Sequence, residues 1–129
     1  MDLLHRDLTE GILKAFFAVY NELGFGFLER VYQNALFLEL KARGYEVEVQ
    51  KPIRVIYKGV HVGEYYADMV VNGQVILELK AASAIIPEFE NQLVNYHRGT
   101  EIEVGLLLNF GKSPQFKRRV FENIRKSLR

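Results

Sequence analysis

Asp68, Glu78 and Lys80 are the residues of this chain whose types and spacing can do chemistry together. Glu78 and Lys80 interrupt an otherwise apolar run, Val75-Ile76-Leu77-Glu78-Leu79-Lys80, and Asp68 precedes Glu78 by ten positions. Residues two apart on a strand share a face, so Glu78 and Lys80 point the same way. Burying a carboxylate and an ammonium there is costly unless each is paired or liganded. Two carboxylates converging with backbone oxygens make a hard site suited to Mg²⁺ or Mn²⁺, which polarises a phosphate and lowers the pKa of a bound water. A Lys80 ammonium beside that site would position the attacking water or offset the negative charge of a pentacovalent transition state. Spacing alone leaves an alternative open, a buried ion-pair network that sets strand register. A Schiff-base role for Lys80 is disfavoured, because Glu78 would hold the lysine charged.

Register supplies a test. A two-residue turn at Asn72-Gly73 would pair Asp68 with Leu77 and send its side chain to the face opposite Glu78. A shared site therefore requires a three-residue loop or a bulge near Gly73.

The elements that must position these residues follow from periodicity. Asp7 and Glu10 form a capping-box pattern before Ile12, Phe16, Tyr20 and Leu23, which recur at helical spacing up to Gly24. A second helix is expected over about 27–43, with Val31, Ala35 and Leu38 on one face, Leu36 and Leu40 beside them, and Gly44 as its stop. From Tyr45 the period changes to two and continues past Pro52 to Tyr57, as one bent strand or two short ones. Lys58-Gly59 then turns the chain into a strand over about 61–71, and Asn72-Gly73 turns it into a strand over 74–81. Apolar residues on both faces of 75–80 describe a central strand. Pro87 suits the first turn of a helix to about His97, 102–109 reads as another strand, and Ser113-Pro114 opens a basic helix with Phe116, Val120, Phe121, Ile124 and Leu128 inward.

The fold class expected is α/β in the α+β sense, a mixed four-stranded sheet flanked by helices. The 129 residues, 49% apolar and 26% charged, with no repeat or linker, fit one domain over 1–129. The absence of cysteine excludes disulfides, thiolate metal sites and a cysteine nucleophile. His5, His61 and His97 show no ligand-like clustering. The N-terminus lacks a basic start followed by a long apolar run, and no stretch approaches the ~20 residues of a membrane helix. A cytoplasmic, soluble protein with no membrane partner is expected. The net charge of +1 conceals an asymmetry, with 10 Lys+Arg against 15 Asp+Glu in 1–110 and 7 against 1 in 111–129. A basic C-terminal helix would offer Lys117, Arg118, Arg119 and Arg125 to nucleic acid, or serve simply as a solvated amphipathic face.

With Gly26-Phe27-Leu28-Glu29-Arg30-Val31-Tyr32 followed by Asp68 and Glu78-Leu79-Lys80, the chain resembles the GxxExxY proteins of the PD-(D/E)XK nuclease superfamily over nearly its whole length. That resemblance implies a restriction-endonuclease-like α-β-β-β-α-β core, here with an extra N-terminal helix and a C-terminal helix. It implies that Asp68 and Glu78 bind metal, that Lys80 assists the water, and that Glu29 approaches as a further acidic ligand. Gln92 and Tyr96 also match residues that face the site in the superfamily, and their i, i+4 spacing puts both on one helix face. Ala67 stands where many members have proline. Tyr32, one turn from Glu29, is read as orienting that carboxylate or as plain core. The expected function is a metal-dependent nuclease acting on DNA, or RNA, with Mg²⁺ or Mn²⁺ and water. Degenerate members bind without cutting, so a non-catalytic module that holds nucleic acid or protein is the alternative. At this size, sequence specificity would have to come from a homodimer or another protein.

Overall fold

The computed structural model describes residues 4–122. Two helices, α1 (Arg6–Leu23) and α2 (Glu29–Ala42), precede a three-stranded meander of β1 (Val47–Tyr57), β2 (Val60–Val71) and β3 (Val75–Lys80). Helix α3 (Pro87–Arg98) then returns the chain to β4 (Val104–Phe110), and β5 (Pro114–Val120) closes the order. The sheet runs β1-β2-β3-β4-β5, with β3 and β4 parallel and the other neighbours antiparallel. The fold is thus α+β, with the expected α-β-β-β-α-β order from α2 to β4.

The alternation of β3 and β4 builds two cores. Val75, Leu77 and Leu79 with Val104, Leu106, Leu108 and Phe110 pack against Ile12, Ala15, Phe16, Leu36 and Leu40 of α1 and α2. Ile76 and Leu107, one residue out of phase, pack with Leu93 and Tyr96 of α3. Every residue of β4 is buried, as covering on both faces demands. Gly105 is needed where α3 lies closest, because a Cβ there would meet the His97 Nε2 at 2.3 Å. His97 Nδ1 in turn donates to the Ile102 carbonyl at 2.8 Å.

The structure corrects four expectations. The segment from Pro114 is a strand, giving five strands rather than four, and no C-terminal helix is found among the described residues. β4 is wholly buried, and its outer edge takes a hydrogen-bonded partner that a helix could not supply. The positions expected inward at Ile124 and Leu128 lie outside the described residues. On α2 the buried stripe is Tyr32, Leu36 and Leu40, while Val31 and Leu38 are exposed. The Asp7/Glu10 capping box does not form, because α1 already starts at Arg6 and Glu10 pairs with that arginine at 3.2 Å.

No helix among the described residues is long and apolar enough to cross a membrane.

Candidate active site

Between β2 and β3 the hairpin loop decides whether Asp68 and Glu78 can meet. Val71 pairs with Val75, Val70 with Ile76 and Met69 with Leu77, so three residues separate the strands and Asp68 falls level with Glu78. Asn72 and Gly73 take left-handed conformations (φ 52° and 64°), and the Gln74 N–H donates to the Val71 carbonyl at 2.9 Å. Gln74 is the extra residue that the register requirement called for.

Beyond Met69 the β2–β3 ladder stops. The Leu79 N–H donates instead to Asp68 Oδ2 at 2.7 Å, so the side chain of Asp68 occupies a position the β2 backbone would otherwise fill. Glu78 lies on the α3 side of the sheet, 4% exposed, and its Oε2 is buried without a hydrogen-bond partner. Burial first, and the adjacent Asp68 carboxylate second, push the Glu78 carboxyl up to about 9, against the opposing pull of Lys80 and Tyr96. Without a cation, the protonated form of the Glu78 carboxyl is therefore the favoured one beside Asp68. Tyr96, buried on α3, brings its hydroxyl within reach of Glu78, and burial together with that carboxylate pushes the phenol up, keeping it a proton donor. Its ring lies edge-on to Tyr65 of β2 at 5.4 Å between centroids. Lys80 is half-buried, with Nζ 4.8 Å from the centre of the Phe89 ring of α3.

The end of β3 is held by a residue that sequence reasoning gave no role in the site. Asn109, fully buried on β4 and level with Lys80, accepts from the Ala82 N–H at 2.9 Å and donates to the Ala82 carbonyl at 3.0 Å. A lone amide in the apolar run of β4 was the available signal. Asn109→Ala strips both partners from the Ala82 backbone and is expected to lower stability by about 1–3 kcal/mol in urea unfolding.

Other expected site residues are not gathered here. Glu29 is exposed in the first turn of α2, in the layer across the sheet from Glu78, and no group of three acidic or histidine side chains placed to hold a metal ion occurs among the described residues. A carboxylate at a helix N-terminus also complements the helix dipole. Gln92 is exposed on α3. Tyr32 donates its hydroxyl proton to the Gly24 carbonyl at 2.7 Å, accepts from the Phe27 N–H at 3.3 Å and stacks on Phe110. It thus closes the α1–α2 connector instead of orienting Glu29.

The basic C-terminal residues also part company. On a strand they alternate, so Lys117 faces the α3 side opposite Leu107, and Arg118 the α1 side opposite Leu106. Arg118 donates to the Leu4 carbonyl at 2.6 Å and Arg119 pairs with Glu90 of α3, so Lys117, Arg118 and Arg119 do not form the single basic face expected of a helix. Arg125 lies outside the described residues. A groove of about 450 Å³ runs between Ala84-Ile85 and Pro114–Lys117, and neither carboxylate lines it.

The donor set fits a hard divalent cation. Asp68 and Glu78 converge, Glu78 Oε2 is buried and unpartnered, and Mg²⁺ is commonly held by one or two carboxylates with waters and substrate phosphate completing its shell. Asp68 and Glu78-Leu79-Lys80 thus sit on neighbouring strands of a mixed sheet with helices on both faces. Residues 6–120 match the PD-(D/E)XK nuclease superfamily, and the chain belongs to it. No curated protein and no solved structure matches the chain.

Proposed function

We propose that this protein is a metal-dependent nuclease that hydrolyses phosphodiester bonds of DNA, or of RNA, and that within its superfamily it is one of the GxxExxY proteins. The observation that carries the reading is the buried, unpartnered Glu78 Oε2 beside Asp68, a costly arrangement that a cation would compensate. Bound Mg²⁺ or Mn²⁺ would supply Lewis acidity toward the scissile phosphate and a water of lowered pKa. Asp68 and Glu78 would hold the ion, and the Leu79 N–H keeps the Asp68 carboxylate oriented. Lys80 would steady the attacking water and the charge developing on the phosphate. Tyr96 would donate to the Glu78 carboxyl, while Gln92, on the same helix face, would contact substrate as the strand docks; Glu29, across the sheet, could reach only substrate and not the ion. Specificity would come from a homodimer or a second protein.

Titration of Mn²⁺ and Mg²⁺ into wild type and Asp68→Asn, with cleavage of labelled single-stranded, duplex and branched DNA and of RNA followed in parallel, tests this. Wild type is expected to bind ion and cut, and Asp68→Asn to lose at least about 100-fold in cleavage, with chelator abolishing activity. Ion-independent cutting, or an Asp68→Asn protein as active as wild type, would sink the assignment.

A second reading, a module that binds nucleic acid or protein without cutting, is favoured by the near-complete cover over Glu78 and the lack of a third acidic ligand beside it among the described residues. Binding of DNA by wild type with no cleavage at any ion concentration would establish it.

A further inference from the structure

We propose that Gln50 is a positioning residue whose left-handed backbone turns β2 over at Asp68 and thereby aims the Asp68 carboxylate along the sheet toward Leu79 and Glu78. In the β1–β2 ladder Val49 pairs with Met69 and Lys51 with Ala67, which places Gln50 opposite Asp68, yet these two do not pair. Gln50 has φ 51°, a conformation that side chains other than glycine, asparagine and aspartate rarely adopt.

The consequence shows on either side of this position. Residues two apart on a strand should share a face. Met69 and Val71 pack with α1 and α2, whereas Ala67 packs with the α3 core, together with Ile53 of β1. The inside–outside alternation therefore reverses at Asp68. A side chain at such a reversal projects along the sheet instead of above or below it, and Asp68 Oδ2 takes the Leu79 N–H at 2.7 Å.

Gln50 Nε2 also donates to Gln33 Oε1 of α2 at 3.4 Å. A left-handed glutamine facing the aspartate of the site is the kind of backbone outlier that persists where surrounding structure holds it for a purpose. The metal-binding consequence rests on the nuclease reading; the geometric one does not.

Substitutions that separate backbone from side chain test this in the full chain. Gln50→Gly and Gln50→Asn tolerate a left-handed backbone, while β-branched Gln50→Val resists it. The Leu79 amide is followed by ¹⁵N NMR shift and hydrogen exchange in metal-free protein, and Mn²⁺ affinity by calorimetry. Gln50→Gly and Gln50→Asn are expected to keep the wild-type Leu79 amide and Mn²⁺ affinity. Gln50→Val, with its fold verified by far-UV circular dichroism, is expected to expose the amide and weaken Mn²⁺ binding roughly 10–100-fold.

If Gln50→Val does not fold, Gln50→Ala takes its place, with intermediate Leu79 protection expected. Wild-type Leu79 behaviour in Gln50→Val or Gln50→Ala, or its loss in Gln50→Gly, would overturn the proposal. A wild type that protects Leu79 but binds no Mn²⁺ would refute the nuclease reading, while the positioning of Asp68 would still be decided by the amide.

Discussion

Replacing Glu78 by glutamine will stabilise the metal-free protein and, on the proposed nuclease reading, at the same time abolish divalent-ion binding. The carboxyl is buried beside Asp68, and both effects raise it to about 9 from an ordinary 4.5. Below about pH 4.5 the group is protonated in folded and unfolded chains alike and contributes nothing to the pH dependence. Between about 4.5 and 9 the unfolded chain has released the proton that the native state retains, so stability falls as pH rises, by roughly 1 kcal/mol per pH unit. Above about 9 both states are ionised and the penalty is complete. Glu78→Gln removes this slope. Urea unfolding from pH 5 to 9 in chelator should show wild type losing stability across the window and the variant nearly level. Saturating Mg²⁺ should restore wild type alone, because ion binding to the native state releases the retained proton and adds its own free energy. A wild type whose stability rises from pH 5 to 9 without metal would contradict the burial and carboxyl coupling assigned to Glu78.

On the proposed nuclease reading, Lys80→Met will separate ion binding from catalysis. The Lys80 stem passes Phe89, with Nζ 4.8 Å from the ring centre, so methionine can retain the apolar contact while losing the charge. Lys80 also favours the ionised form of Glu78, so its loss raises the cost of deprotonating that carboxyl. It simultaneously removes a positive charge that would repel an incoming cation. These two changes oppose each other in the ion affinity, whereas nothing offsets the loss of charge stabilisation in the transition state. The expected result is a kcat lowered about 10²–10³-fold, with Mn²⁺ affinity changed by less than about tenfold. If kcat survives, Lys80 is there to neutralise the carboxylates; if Mn²⁺ affinity collapses as far as kcat, its part in water or phosphate positioning is not separable from the ion site.

Residues 75–80 made a central strand legible because a short apolar run bounded by a turn suits a strand covered on both faces, and the two charges within it marked the candidate site. The need for an extra residue after Asn72-Gly73 was likewise legible, since side-chain parity permits no other way for Asp68 to join Glu78. Pro87 marked the start of α3 through its fixed φ and missing N–H.

The tertiary structure alone decided the remainder. Phe116 and Val120 are four apart, a spacing that suits one face of a helix and equally one face of a strand, and the open edge of β4 settled the choice as β5. That choice dispersed Lys117, Arg118 and Arg119 over two faces. Tyr32 lies one turn from Glu29 in sequence, but its hydroxyl found the Gly24 carbonyl across the connector. The reversal at Gln50 and Asp68 left no trace in the pattern, because Val47 and Ile53 keep the same parity on either side while packing against opposite layers. Local periodicity determines which residues can share a face of an element. Which face meets which layer, and where a ladder breaks to admit a side chain, depends on partners distant in sequence.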